Sequence, residues 1–242
     1  IMLHLFGGNS WWWSKVIDDF AEHFTVYAID LPGCAQSEQP PLPYGPPEMA
    51  EMLKEFMDKK GIVRAHIVGS HGGSLSSAHF ATTRPSRVAK LVMDGTPPWN
   101  RLEGKKYWLE MIRPNWLDEN ELPKPYGTWG GAAGSPFPGL DSEEEKEIAR
   151  ERCATDFWCG NGRWWITITK EALKYDVYTR LHHIEAPTLI VNGEHEWGRI
   201  SEYRLLNGIV GSELAVIPKA GGQPAFEQPE AYLKAVLSFL LR

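Results

Sequence analysis

Five consecutive residues, Gly69-Ser70-His71-Gly72-Gly73, bring an imidazole and a hydroxyl together with three residues that carry no side chain. Glycine permits sharp backbone reversals that a Cβ obstructs. Ala65 to Val68 are apolar or β-prone, and Ser74 to Thr83 read as a helix stopped by Arg84-Pro85. The stretch is therefore predicted to be a strand, a turn and a helix, with the frame G-x-S-x-G in which a strained turn presents its central side chain. That side chain is His71. Imidazole titrates near neutrality, so it can act as a general base on water or on a substrate O–H or C–H, or attack a carbonyl itself. Shifting the frame by one residue makes Ser70 the central group and keeps S-x-G-G.

The elements that position this turn follow from apolar patterning. The chain opens on a buried strand, Ile1 to Leu5, and Trp11-Trp12-Trp13 begin a helix predicted to run to His23. The proline-rich stretch from Gln39 to Pro47 excludes helix and central strand and leads into a helix from Glu48 to Lys60, with an apolar stripe of Met49, Met52, Leu53, Phe56 and Met57. After the strand Lys90 to Asp94, no strand is predicted until Pro187. Between them lie seven tryptophans (Trp99, Trp108, Trp116, Trp129, Trp158, Trp164, Trp165), a Gly/Pro-rich middle from Pro123 to Gly139 and an acidic helix start at Asp141-Ser142-Glu143-Glu144-Glu145. Strand–helix alternation outside residues 97–185 predicts an α/β fold with a mainly parallel sheet. The length of 242 residues suits one such domain.

Composition narrows the function classes. The net charge of −6 is spread along the chain and offers no basic patch for nucleic acid. No apolar run approaches the roughly 20 residues of a membrane span, so a soluble protein is expected. Cys34, Cys153 and Cys159 form an odd set without metal spacing, which points to reduced thiols in a cytoplasmic setting, with a Cys153 to Cys159 bridge as the alternative. Nucleotide, zinc and redox motifs are absent from the sequence, so no cofactor and no metal are expected. His182-His183 and His195 read as surface residues, the adjacent pair pointing to opposite faces. The expected partner is a small molecule, and the expected assembly a monomer or homodimer.

The wider sequence resembles the α/β-hydrolase superfamily. Leu3-His4-Leu5-Phe6-Gly7-Gly8 is similar to its oxyanion stretch H-G-x-x-G, with Leu5 where glycine is usual. Asp30-Leu31-Pro32-Gly33-Cys34-Ala35-Gln36-Ser37 resembles D-x-x-G-x-G-x-S, with Ala35 for the second glycine. Pro187 to Val191 and Asn192-Gly193-Glu194-His195-Glu196 resemble strand 7 and the loop of the catalytic acid. Ala220-Gly221-Gly222-Gln223-Pro224 resembles A-G-H-x-P, with Gly222 in place of the catalytic histidine, and Glu227-Gln228-Pro229-Glu230 follows it. The family separates nucleophile and helix-ending proline by fourteen residues, which fits His71 and Pro85. The resemblance implies a core of residues 1–96 and 186–242, a helical cap over 97–185 inserted after strand 6, and two further strands ahead of Ile1, whose apparent absence suggests a fragment, a truncated sequence or a sheet with the strand that starts at Thr25 exposed at its edge.

It also implies a site. His71 stands at the nucleophile position and Glu196 at the acid position, ahead of Asp94, which ends strand 6 where some members carry their acid. Gly222 cannot accept a serine proton, so the ordinary acyl-serine route is not expected. The vacated volume predicts a hydrogen-bonded pair of His71 and Glu196. The N–H groups of Phe6 and Gly72 are expected to form an oxyanion hole. The rings of Trp12, Trp99, Trp129, Trp158 and Trp164 are expected to wall a pocket for a small apolar or aromatic substrate. The functional expectation is hydrolysis of an ester, lactone or related activated carbonyl, with His71 as base or nucleophile. Three alternatives are a cofactor-free carbon–carbon lyase, a non-catalytic receptor of the kind the gibberellin receptors represent, and a structural pseudo-hydrolase.

Overall fold

A computed structural model describes residues 1–41, 44–97, 106, 109–110, 113–120, 137–159 and 162–242, with the side chains of 115–116, 153–159, 162–163 and 197 excepted. Six strands form one sheet: β1 Met2–Leu3, β2 Ala28–Ile29, β3 Ala65–Ser70, β4 Val88–Asp94, β5 Thr188–Gly193 and β6 Glu213–Ile217. Their order is β2-β1-β3-β4-β5-β6 and every pairing is parallel. A parallel sheet is covered on both faces, so its strands alternate between two cores instead of between core and water. In β4, Leu91 and Met93 join the core under helices α2 (Pro46–Lys59) and α3 (Gly72–Thr83), while Val92 joins the one under α1 (Ile17–Ala21) and the C-terminal helix Pro229–Leu241. β2 lies at the sheet edge, one of the alternatives that the resemblance implied.

Helix ends depart from the sequence reading where capping decides them. α2 starts at Pro46, not Glu48, because Gly45 serves as N-cap and the two prolines occupy a first turn whose N–H groups have no intrahelical partner. The Gly45 N–H donates to Glu48 Oε2 at 2.8 Å. The tryptophan triplet does not open one long helix. Asn9 Oδ1 caps a 3-10 turn, Ser10–Trp13, by accepting from the Trp11 N–H at 2.9 Å, and α1 follows as a separate element. The break sends Trp12 and Trp13 into different apolar clusters.

Within 97–185 the described residues include helices Glu143–Cys159 and Gly162–Lys174 and a 3-10 stretch Val177–His183. Glu143, Glu144 and Glu145 occupy the first turn of their helix, next to the positive end of its dipole. His182 and His183 do not point to opposite faces: the 3-10 geometry places their ring centroids 4.0 Å apart. They and His195 are exposed, as the sequence implies. Cys34 is buried and forms no disulfide, and the Cys153 and Cys159 side chains lie outside the described residues. Among the described residues no helix is long and apolar enough to cross a membrane, and no group of three His, Cys, Asp or Glu side chains could hold a metal ion.

Candidate active site

The strand order reverses between β1 and β3, and ligands of open α/β sheets bind beyond the carboxyl ends of the strands at such a point. Phe6 follows β1 there and His71 follows β3. His71 has φ 48° and ψ −109°. A non-glycine residue in this region carries strain of about 1–3 kcal/mol, held by its surroundings. The His71 N–H donates to Asp94 O at 2.8 Å and the His71 carbonyl accepts from the Leu75 N–H at 3.2 Å. Ser70 instead ends β3, opposite Asp94, and is 3 % exposed.

Two glycines let the turn close. A Cβ on Gly69 would stand 2.1 Å from Ser77 Oγ, and one on Gly73 would stand 2.4 Å from Leu3 O and 2.6 Å from His4 O. The second contact is to the backbone of β1 and the residue that follows it, which cannot give way. Gly73→Ala is therefore expected to destabilise the fold by about 3 kcal/mol, read as a lower midpoint in urea unfolding. An unchanged midpoint would show that β1 and α3 can separate freely.

The imidazole spans two partners. Its Nδ1 lies 3.1 Å from Ser70 Oγ, and its Nε2 lies 3.6 Å from Glu196 Oε2. The expected hydrogen bond between His71 and Glu196 is thus an ion-pair contact of longer reach. The cause is visible in the carboxylate, whose Oε1 accepts the Gly198 N–H at 3.0 Å and caps the 3-10 turn Trp197–Ser201. Glu196 has a side chain only 2 % exposed, against 16 % for His71. A Cβ at Gly222 would sit 2.7 Å from Glu196 Oε2 and 3.6 Å from His71 Nε2, so the missing side chain leaves the approach open.

Electrostatics follow from burial and pairing. Burial lowers the His71 pKa, but the Glu196 carboxylate, with a further contribution from Asp94, outweighs it and holds the ring above its ordinary value. Burial raises Glu196, and the His71 ring and the Gly198 N–H pull it back below the ordinary carboxyl range. Asp94 behaves differently: 1 % exposed, it is pushed up to about 8, chiefly by burial. The Tyr232 hydroxyl acts on it electrostatically, and by geometry neither Asp94 Oδ1 nor Tyr232 OH has a hydrogen-bond partner among the described residues. Asp94 thus holds its proton more firmly than an ordinary carboxyl, and Glu196 is the stronger electrostatic partner of the imidazole.

The Phe6 ring covers Gly72, where a Cβ would stand 2.3 Å from the ring. Among the described residues, no backbone hydrogen bond outside the regular elements uses the Phe6 or Gly72 N–H. His4 holds this loop, a role the sequence reading missed. Fully buried and held down to about 4 by that burial, it donates from Nδ1 to Leu5 O at 2.6 Å and accepts the Leu31 N–H on Nε2 at 2.9 Å. The available signal was a lone polar residue inside an apolar strand.

The aromatic pocket wall is corrected in part. Trp12 is 3 % exposed and packs on Phe137 and Phe226 with centroids 5.8 and 5.4 Å apart. Trp164 is 1 % exposed, fills the space beside Gly33 and donates its indole N–H to Pro32 O at 2.8 Å. Both rings are committed to packing and offer no face to a ligand. Trp164→Phe should accordingly lower stability by about 1 kcal/mol while leaving the KM of any substrate unchanged. A large rise in KM would return that ring to the pocket. Trp99, Trp129 and the Trp158 side chain lie outside the described residues. A cavity of about 380 Å³ lies elsewhere, lined by residues such as Phe24, Val26, Ile62 and Arg64 at the opposite end of the strands from His71.

Residues 1–124 match the sequence profile of the alpha/beta hydrolase fold. A 2-hydroxy-6-oxononadienedioate/2-hydroxy-6-oxononatrienedioate hydrolase of Klebsiella pneumoniae is 28 % identical over an alignment of 264 residues, covering 100 % of this chain and 86 % of that protein. The dihydrolipoyllysine-residue acetyltransferase component of the acetoin cleaving system of Cupriavidus necator is 36 % identical over 93 residues, 38 % of this chain and 25 % of its own length. In fold, the crystal structure of the enol-lactonase from Burkholderia xenovorans superposes with a TM-score of 0.78 at 17 % identity, covering 100 % of this chain and 90 % of the other. The reversed strand order, the strained turn after β3 and the profile match over half of the sequence agree, and the chain belongs to the α/β hydrolase fold family.

Proposed function

We propose that the protein is a hydrolase of an activated carbonyl in a small apolar or aromatic molecule, an ester or lactone, with His71 as general base and Glu196 as its orienting carboxylate. One observation carries this reading: an imidazole occupies the strained turn, its Nε2 3.6 Å from a buried carboxylate across the opening left by Gly222. Nε2–H faces Glu196, so Nδ1 is the basic nitrogen; it accepts the Ser70 O–H at 3.1 Å, and that hydroxyl relays the proton to it. As water adds to the carbonyl carbon its proton passes to Nδ1, and the developing oxyanion rests against the Phe6 and Gly72 N–H groups. Collapse breaks the bond to the leaving oxygen, which takes the proton from Nδ1. The reading includes residues 97–185 as a helical cap over the turn, needs no cofactor and places the protein in the cytoplasm.

A second reading, carbon–carbon bond hydrolysis, is favoured by the relative from Klebsiella that spans the whole chain. An oxo-dienedioate contains no ester or amide bond, so its hydrolysis cleaves a carbon–carbon bond. The deciding experiment is a turnover screen of aryl esters, enol-lactones and a 2-hydroxy-6-oxo-dienoate with wild type and His71→Ala in parallel. Loss of one class of turnover in His71→Ala selects the reaction. Equal rates for both proteins on all three classes would leave a receptor as the better description.

A further inference from the structure

Gly222 carries no side chain that could fix its own loop, yet the open space beside His71 depends on that loop staying where it is. A buried carboxylate not used by the chemistry above lies against the same loop. Glu227 is 3 % exposed. Its Oε2 accepts the N–H groups of Gly139 and Gly221, and its Oε1 accepts the N–H of Gln223, each at 2.9 Å. Two of these donors flank Gly222 in sequence, and the third comes from the segment that returns from residues 97–136. Gln228 Nε2 adds a bond to Gly139 O at 2.6 Å.

The packing leaves no slack in this arrangement. A Cβ on Gly139 would stand 2.9 Å from Glu227 Cβ, and one on Gly221 would stand 2.7 Å from Pro138 Cδ. On its other side the loop meets β5, where a Cβ on Gly193 would stand 2.0 Å from Gly221 O, and Ala220 O accepts the His195 N–H at 2.9 Å. Charge-assisted bonds to backbone N–H groups are short and directional, and one carboxylate here ties three of them.

We infer that Glu227 is a positioning residue, which locks the Gly222 loop to the Gly139 segment and so keeps open the space through which His71 faces Glu196. Without it the loop can relax toward Glu196 Oε2, already 2.7 Å from a Cβ built at Gly222. Glu227 repels the charges of Glu196 and Asp94, so loss of its charge alone would strengthen their hold on the ring, and a fall in the His71 midpoint reports geometry. The inference concerns the position of the pair and holds whether or not the pair turns over a substrate.

The test needs no substrate. In the wild-type protein the amides of Gly139, Gly221 and Gln223 should share one hydrogen-exchange protection factor and one response to mild denaturant, because a single carboxylate holds all three. In Glu227→Ala all three should exchange at least tenfold faster. The His71 titration midpoint, followed by NMR, should then fall as the ring loses Glu196. Glu227→Gln, which keeps the shape and removes the charge, should produce a smaller fall. Independent protection factors in the wild type would overturn the inference even if Glu227→Ala fails to fold. So would an unchanged His71 midpoint in both folded variants.

Discussion

His71→Ala is expected to reduce turnover of an activated aryl ester by about 10²–10⁴-fold, the range a positioned general base supplies. Glu196→Gln should fall in the same range, because a base and the group that orients it act as one unit, and combining the two changes should cost little more than either alone. The pH profile separates this from misfolding. His71 accepts a proton only when neutral, and Glu196 holds its pKa above the ordinary imidazole value, so kcat/KM should rise with pH through that raised pKa. In Glu196→Gln the carboxylate's pull is gone and burial, which lowers the pKa, dominates. The residual rate should then rise at lower pH than in wild type. An unshifted profile would mean that another group titrates, and multiplicative losses would mean that the two residues do not work together.

Gly222→Ala is expected to cost about 10² in kcat with little change in KM, the scale on which a misplacement near 1 Å is felt. The added methyl would stand 2.7 Å from Glu196 Oε2. The carboxylate is buried and tethered through Oε1 to the Gly198 N–H, so it cannot retreat without breaking that cap. The outcome is a longer separation from His71, read as a fall in the His71 midpoint by NMR. An active Gly222→Ala with an unmoved midpoint would show that the vacant position is not what admits the ring.

The sheet and the turn were legible because they rest on local rules. Apolar runs buried on two faces, glycines at close approaches and a proline ending α3 identified the parallel sheet and His71 at the strained position, while the edge place of β2 was one of the alternatives that the family resemblance implied. What the sequence alone could not determine was how side chains would divide their partners. The motif placed Glu196 near His71, but only the fold engaged the same carboxylate with Gly198 and set the contact at 3.6 Å instead of a hydrogen bond. Tryptophan content suggested pocket walls, and tertiary packing assigned Trp12 and Trp164 to the interior, since a large ring is equally at home in either place. The sequence placed His4 in the oxyanion stretch, Asp94 at the end of a strand and Glu227 in the loop after Gly222, without indicating the partners of any of them. Burial and the neighbouring backbone groups decided that the first holds a loop, the second has a raised pKa and the third gathers three N–H groups from segments far apart in the chain. Such roles depend on which distant backbone groups arrive at the same point, and periodicity and spacing along one strand of sequence do not encode that.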